Sequence, residues 1–236
     1  MQFVEPLTSE QDQAARRHGL GRCGLGRVNV PADAAVLAER LSAEGMDCGT
    51  LHVGWGMEDD DEGARLLDAV LSAAVRYAIP LHVETHRATL FQDLWRTVQF
   101  VKRFPDLTIN ADFSHWYTGL EMVYGGFEEK VRFIEPVFER VRFVHGRIGT
   151  PGCIQVALKD LDAPYVGHFR ELWRRSFAGK ESMYFVPELL SPRIYYARSF
   201  GGAEEGDRWA DALTLCGIAR ECWDTLRTLD DTRGGH

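Results

Sequence analysis

The same arrangement occurs four times along this chain: a short apolar run ends in ionisable side chains where a helix is predicted to begin. The fullest example is residues 80–87, Pro-Leu-His-Val-Glu-Thr-His-Arg. Similar apolar runs end in Asp112 with His115, in His145 with Arg147, and in Glu188. Because strand-like and helix-like patterns alternate throughout, the sequence predicts a parallel sheet with crossover helices. In an α/β barrel the carboxyl ends of the strands meet at one mouth, so we expect these side chains to lie together.

The length of the chain fits a single TIM-type barrel. Its 236 residues are close to the roughly 250 that such a barrel usually needs, so we expect one domain over residues 1–236. We predict about seven strands, counting one at residues 1–6, whereas a closed barrel has eight. Either the first βα unit is absent from this chain or the barrel is incomplete, and the sequence leaves both explanations open.

Helix boundaries are predicted from capping residues. Thr8 and Gln11 form a capping-box pattern and predict a helix over residues 8–18. Thr89 and Gln92 repeat the pattern, which predicts a helix over residues 89–104. Residues 116–127 are rich in aromatic residues and glycine, and we expect an irregular segment there rather than a helix.

The charge balance argues against nucleic acid as a partner. The chain has 27 basic and 35 acidic residues and a formal charge of -8, whereas phosphate binding needs clustered Lys and Arg. No apolar run approaches the roughly 20 residues of a membrane span, so no membrane partner is expected. The expected partner is a small molecule, and a homo-oligomer is compatible with the sequence.

The cysteines and the first residues predict a cytoplasmic protein. Residues 1–6 lack the basic and apolar regions of a secretory signal. The five cysteines are an odd number without close metal-type spacing, and reduced thiols are the simplest account of them.

Four of the strand-end residues suggest a metal site. Glu84, Asp112, His145 and Glu188 follow one another at intervals of about one strand–helix unit, so they are expected on adjacent strands. Three carboxylates and one imidazole form an oxygen-rich set without thiolate. Such a set suits a divalent metal ion, with manganese or magnesium first and cobalt or zinc second. An ion of this kind acidifies the C–H bond beside a carbonyl, and two carboxylates can then remove and return the proton.

The strand-end motifs resemble a known superfamily. The motifs, in chain order, are Glu-Thr-His-Arg (84–87), Asp-Phe-Ser-His (112–115), His-Gly-Arg (145–147) and Pro-Glu (187–188). Together they are similar to the motifs of the xylose isomerase-like barrels, in particular the sugar phosphate isomerase/epimerase group. The resemblance covers most of the chain from about residue 48 onward. The N-terminal part is shorter than the superfamily usually shows, which implies a pocket that is open or differently built on one side.

The resemblance implies roles for individual residues. It implies that Glu84, Asp112, His145 and Glu188 bind the metal, and that Glu84 and Glu188 are the acid–base pair of a reaction through a cis-enediolate. It also implies that His115 and Arg147 contact substrate oxygens and stabilise negative charge.

Plainer roles stay open for several of these side chains. Arg147 would alternatively form a structural ion pair with Asp112 or Glu188. His86 is either a contact at the rim or a solvated histidine, and Trp116 either stacks on a sugar or packs in the interior. His52 and His82 are expected to be ordinary barrel-interior or packing residues.

The function expected from the sequence is that of a metal-dependent isomerase or epimerase acting on a small sugar-like hydroxy-carbonyl compound. A dehydratase or lyase, which starts with the same C–H abstraction, is the nearest enzymatic alternative. A non-catalytic sugar- or metal-binding barrel is the other alternative. The metal-dependent endonucleases of this fold use more histidines and need a basic groove, and the acidic balance counts against them.

Overall fold

The fold is built on one parallel sheet. In a computed structural model, which describes residues 8–191 and 204–233, six strands lie side by side in sequence order, and each neighbouring pair is parallel. The strands are β1 (Cys23–Val28), β2 (Cys48–Val53), β3 (Leu81–Glu84), β4 (Thr108–Ala111), β5 (Val141–Gly146) and β6 (Tyr184–Pro187). This order is that of a (β/α) barrel in which each strand is followed by its neighbour.

Helices precede, connect and follow the strands. They are α1 (Ser9–Arg17), α2 (Pro31–Ala43), α3 (Asp60–Arg76), α4 (Leu94–Arg103), α5 (Phe113–Gly119), α6 (Phe127–Phe133), α7 (Glu135–Phe138), α8 (Pro164–Phe177) and α9 (Arg208–Arg233). Among the described residues, no helix combines the length and the apolar character needed to cross a membrane.

Glycines in β1 and β2 show which face of the sheet is outside. A Cβ atom on Gly24 would lie 2.1 Å from a methyl group of Leu41, and one on Gly26 would lie 2.2 Å from Leu37, both in α2. These positions must therefore be glycine for α2 to pack so closely. Because side chains alternate along a strand, the residues between the glycines face the interior of the barrel.

The described strands form an incomplete barrel. At the amino ends of the strands its two edges approach each other, since a Cβ atom on Gly21, just before β1, would lie 2.9 Å from the ring of Tyr184 in β6. The inward-facing side chains of β6 are nevertheless open to solvent, with Tyr184 40% and Val186 41% exposed. The six predicted strands after residue 20 are confirmed, and the strand predicted at residues 1–6 lies outside the described residues.

One predicted helix boundary is wrong, and one segment predicted to be irregular is helical in its first part. The helix before β4 begins at Leu94 rather than Thr89, because Asp93 is its N-cap and accepts a hydrogen bond from the backbone N–H of Arg96 (2.8 Å). Thr89 instead donates to the carbonyl of His86 in the preceding turn (2.6 Å). The segment expected to be irregular overlaps α5, which begins at Phe113. Its aromatic side chains are buried in the core, and this tertiary burial outweighs their modest helix propensity.

Candidate metal centre

Four predicted ligands meet at the carboxyl ends of the strands. Glu84 is the last residue of β3, Asp112 follows β4, His145 lies in β5 and Glu188 follows β6. One donor atom from each residue lies within 4.8 Å of the donor atoms of the other three. The structure therefore brings together side chains from four consecutive strands, as their regular intervals in the sequence predicted.

Glu84 lies at the centre of this cluster. Its Oε1 atom is 3.3 Å from Nδ1 of His145, and its Oε2 atom is 3.2 Å from Nε2 of His52. Burial alone would favour the neutral acid, but these two imidazoles hold the pKa of Glu84 well below its usual value. The carboxylate is therefore ionised at neutral pH.

His145 lies between two carboxylates. Its Nδ1 atom is 3.3 Å from Glu84 and 3.1 Å from Oε2 of Glu188. Burial would lower the pKa of His145, yet the two negative charges raise it well above its ordinary value. The amide nitrogen of Asn110 lies 3.1 Å from the same ring nitrogen and adds a polar contact from β4. Glu84 and Glu188 thus approach one imidazole from two different strands.

A fully buried arginine balances the acidic residues. Arg147 contacts Oδ2 of Asp112 through Nη2, and the same nitrogen lies 3.3 Å from Oε2 of Glu188 and 3.0 Å from Nε2 of His115. Its Nε atom donates to the hydroxyl of Ser114 (2.9 Å). Although burial acts in the opposite direction, Arg147 lowers the pKa of Asp112 to about 2. Arg147 therefore forms a structural ion pair with Asp112, which is one of the roles that the sequence left open.

The chemistry of the donor set fits a divalent cation. The three carboxylates supply hard oxygen donors and the imidazole supplies a nitrogen donor, a set that suits a divalent cation. Oε1 of Glu84 is buried and has the 3.3 Å ion-pair contact with His145 but no hydrogen bond of standard geometry to any described residue, which suits an oxygen that faces a cation. Burying three carboxylates together needs compensating positive charge, and Arg147 supplies one part of it.

The solved structures similar to this chain share its fold. Endonuclease IV from Thermus thermophilus superimposes with a TM-score of 0.54 at 15% sequence identity, over 92% of this chain and 84% of that one. A xylose isomerase domain protein from Planctomyces limnophilus gives a TM-score of 0.54 at 20% identity, over 82% of this chain and 67% of that one. This chain has the xylose isomerase-like barrel fold. No protein-family model and no curated protein matches the sequence.

The likeness confirms the fold predicted from the strand-end motifs. At these sequence identities, the likeness shows only that the strands and helices are arranged in the same way. The chemistry of this xylose isomerase-like barrel must be inferred from its own side chains. The fold and the side chains agree in one respect: the carboxyl ends of the strands, where barrels of this architecture carry their sites, hold the cluster around Glu84.

A row of three histidines lines the barrel beside the cluster. The ring centroids of His52 and His86 are 4.1 Å apart, and those of His86 and His115 are 3.7 Å apart. His52, Glu84 and His86 form a second group whose donor atoms lie within 4.8 Å of one another. His52 therefore lies in the barrel interior, as predicted, but it contacts Glu84 directly, which the expectation of an ordinary residue missed. His82, by contrast, is an interior residue bonded to Thr108 (2.9 Å).

Trp116 is an interior residue. Its side chain is fully buried in the core, and its indole nitrogen donates to the carbonyl of Phe91 (2.9 Å). Its ring packs against Phe113, with centroids 6.0 Å apart. The expected contact with a sugar does not fit a side chain that is fully buried and hydrogen-bonded in the interior.

Three residues at the site were missed or misjudged in the sequence. His52, Asn110 and Ser114 each contact a predicted ligand or its counter-ion. The alternation of side chains could have found two of them, because His52 and Asn110 occupy inward-facing positions on their strands. No local signal shows that Ser114 would accept a hydrogen bond from Arg147, which follows the next strand.

The buried histidines should make the metal-free protein sensitive to mild acid. Burial, aided by the nearby His52, lowers the pKa of His86 from 6.5 to about 4. The unfolded chain therefore takes up this proton near pH 6.5 and the folded chain only near pH 4. Between these values the free energy of unfolding should fall as the pH falls, by about 3 kcal/mol for His86 alone. Burial also lowers the pKa of His115, which acts in the same direction.

Urea unfolding of the metal-free protein at about pH 7 and about pH 4.5 measures this effect. His86→Gln should reduce the loss of stability between the two conditions. Replacement of the exposed His18 by glutamine is the matched control and should leave the loss unchanged. An equal loss in wild type and His86→Gln would contradict the assignment.

Proposed function

We propose that this protein is a divalent-metal-dependent isomerase or epimerase that acts on a small sugar-like hydroxy-carbonyl compound. The observation that supports the proposal most is the convergence of Glu84, Asp112, His145 and Glu188 at the strand ends of a barrel. These four residues would hold the ion, and manganese or magnesium matches their donor atoms best. When bound, the ion would polarise the substrate carbonyl and acidify the neighbouring C–H bond.

The two glutamates suit proton transfer from different sides. Glu84 is buried and ionised, which provides a carboxylate able to accept a proton. Glu188 keeps 14% of its side chain exposed, more than any other member of the cluster. A substrate that enters beside Glu188 would therefore lie between the two carboxylates. One would remove the proton, and the other would return it at the adjacent carbon or on the opposite face.

Basic side chains around the cluster would stabilise the negative charge that forms on the substrate. Arg147 carries its charge into the site but is engaged with Asp112. His115 and His86 complete the wall next to it, with their rings in contact. We assign these residues to orientation and charge stabilisation rather than to proton transfer at carbon.

Solvent deuterium distinguishes this proposal from its alternatives. The purified protein, loaded in turn with Mn²⁺, Mg²⁺, Co²⁺ or Zn²⁺, is incubated in D₂O with a panel of ketoses and sugar acids, and the products are analysed by NMR and mass spectrometry. Incorporation of deuterium at one carbon together with an isomer or epimer supports the proposal. Loss of water from the substrate would favour a dehydratase, and binding without exchange would favour a non-catalytic sugar-binding barrel.

A further inference from the structure

An arginine lies at the mouth of the barrel on the edge of the sheet opposite Glu188. Arg27 belongs to β1, where Gly24 and Gly26 face α2, so the alternation of side chains turns Arg27 towards the interior. The strands β1 and β6 are the two edges of the sheet, and Glu188 follows β6. A substrate that enters beside Glu188 therefore has Arg27 on its other side.

Two contacts hold the guanidinium of Arg27 at the strand ends. Its Nη1 atom donates to the carbonyl of Gly54 (2.7 Å), the residue that directly follows β2. Its Cζ atom lies 4.0 Å from the ring centroid of Trp55. A guanidinium that stacks on an aromatic ring keeps a fixed plane. Arg27 is only partly buried and Trp55 is 50% exposed, so a ligand can approach from solvent.

One imidazole ring separates this positive charge from the candidate metal centre. Arg27 and His52 are direct partners in the register of β1 and β2, and Nη2 of Arg27 lies 3.5 Å from Nδ1 of His52. On the other side of the ring, Nε2 of His52 lies 3.2 Å from Oε2 of Glu84. The guanidinium and the cluster thus line the same interior, and a molecule a few bonds long can reach both.

The loops beside Arg27 favour a carboxylate as its ligand over a phosphate. The fork of a guanidinium matches the two oxygens of a carboxylate, whereas phosphate sites usually add backbone N–H groups of a nest or a helix N-terminus. Backbone N–H groups in the loops after β1 and β2 already donate to carboxylates of this chain, Asn29 and Val30 to Asp33 and Trp55, Gly56 and Met57 to Glu58. These amides are therefore not presented to a ligand.

An anionic substrate needs a positive charge at this mouth. The three carboxylates of the cluster repel a negatively charged compound, and Arg147 on their other side is engaged with Asp112. Arg27 places a second guanidinium next to the cluster, where it attracts an acid group. This distribution of charge favours an anion whose acid group points towards β1 and whose hydroxy-carbonyl group lies at Glu84 and Glu188.

We propose that Arg27 binds a carboxylate of the substrate, and that the substrate is therefore a small hydroxy-keto acid rather than a neutral ketose. This inference rests on the metal-dependent isomerase or epimerase function proposed above and names the substrate class for it. Arg27 holds the acid group while the hydroxy-carbonyl group lies between Glu84 and Glu188. It is a binding residue that sets the substrate class, and it takes no part in proton transfer at carbon.

Compounds that differ in one terminal group test the proposal. D-fructose, D-fructuronate and D-fructose 6-phosphate differ only at C6, and dihydroxyacetone, hydroxypyruvate and dihydroxyacetone phosphate form a shorter set. Calorimetry measures their affinities for the full-length protein saturated with Mn²⁺. In at least one set we expect the carboxylate to bind at least about tenfold more tightly than the neutral and the phosphorylated compound. Failure of both carboxylates to bind, equal affinities, or a preference for a neutral or phosphorylated compound would overturn the proposal.

Variants assign the preference to Arg27. Arg27→Gln should weaken binding of the carboxylate about 10–100-fold and change that of the neutral compound less than about twofold. Arg27→Lys keeps the charge without the fork and should lie in between. Arg76→Gln is the matched control, because Arg76 is exposed at the end of α3 and also stacks on an aromatic ring, that of Tyr77. An unchanged carboxylate affinity in Arg27→Gln, shown by circular dichroism to be folded, would overturn the proposal.

Deuterium uptake into the same compounds lets the two proposals fail separately. Binding of a carboxylate that depends on Arg27, without uptake into any compound, would refute the isomerase or epimerase function but leave the carboxylate site in place. Equal kcat/KM for neutral ketoses and keto acids would overturn the carboxylate site but leave the function in place. If both proposals hold, Arg27→Gln should raise KM for the keto acid and leave kcat nearly unchanged. A fall in kcat at constant KM would overturn the assignment of Arg27 as a binding residue.

Discussion

Glu188→Gln should lower proton exchange at the substrate carbon by at least about 100-fold, because an amide cannot accept or return the proton. The amide oxygen remains a metal ligand, so metal binding should weaken without being lost. The carboxylate lies 3.1 Å from Nδ1 of His145 and is the most exposed of the four proposed ligands. Its replacement therefore leaves the buried part of the cluster intact, and the fold should be retained. Deuterium uptake at saturating metal, with the metal affinity from titration calorimetry, separates the two effects.

A matched control lies in the same part of the chain. Glu181 is exposed in the turn before β6, and Glu181→Gln changes the same charge away from the cluster. Its exchange rate and metal affinity should equal those of the wild type. Retained exchange in Glu188→Gln at full metal occupancy would refute the acid–base role of Glu188. If Glu188→Gln lost metal binding but kept proton exchange, the exchange would not need the metal, and the role of the metal centre would be refuted as well.

Arg147→Gln should destabilise the metal-free protein and at the same time strengthen its affinity for a divalent ion. Removing one partner of a buried ion pair costs about 3–5 kcal/mol, because the other charge is left without compensation. Arg147 is fully buried, and its Nη2 atom contacts Asp112 and lies 3.3 Å from Glu188. A bound divalent cation could replace the missing positive charge, and it would no longer be repelled by the guanidinium. Urea unfolding with and without Mn²⁺ measures both effects in one experiment.

Two further variants test whether charge is the cause. Arg147→Lys keeps the positive charge but lacks the fork that reaches Asp112, Ser114 and His115 together, so its behaviour should be intermediate. Arg132→Gln removes an exposed arginine from α6 and should change neither quantity. A metal affinity that falls in Arg147→Gln would show that the arginine supports the ion rather than competing with it.

The barrel could be predicted because its signals are local. Apolar runs and helical patterns alternate along the chain, and each predicted strand within the described residues was found. The errors occurred where a long-range contact decides a boundary. Thr89 matches a capping box in sequence, but its hydroxyl is used by the carbonyl of His86, and Asp93 caps the helix instead. The aromatic segment after Asp112 is helical because its rings are buried in the core, which composition alone does not reveal.

The candidate site followed from the same logic. The sequence predicted that the four proposed ligands converge, namely Glu84, Asp112, His145 and Glu188. They stand at the ends of consecutive strands, and the geometry of a barrel brings strand ends to one mouth. The direction in which other side chains point was harder to predict. Trp116 is four residues from Asp112 but packs in the core, where its indole donates a hydrogen bond to the carbonyl of Phe91.

The sequence by itself determined the order of strands and helices and which residues stand at the strand ends, because both follow from patterns that span a few neighbouring residues. Only the tertiary structure decided how these residues pair. The curvature and register of the sheet place His52 against Glu84 and Arg147 against Asp112, and they set Cys23 beside Cys48. These contacts join residues far apart in the chain, and no local pattern encodes the distance between strands that makes them form.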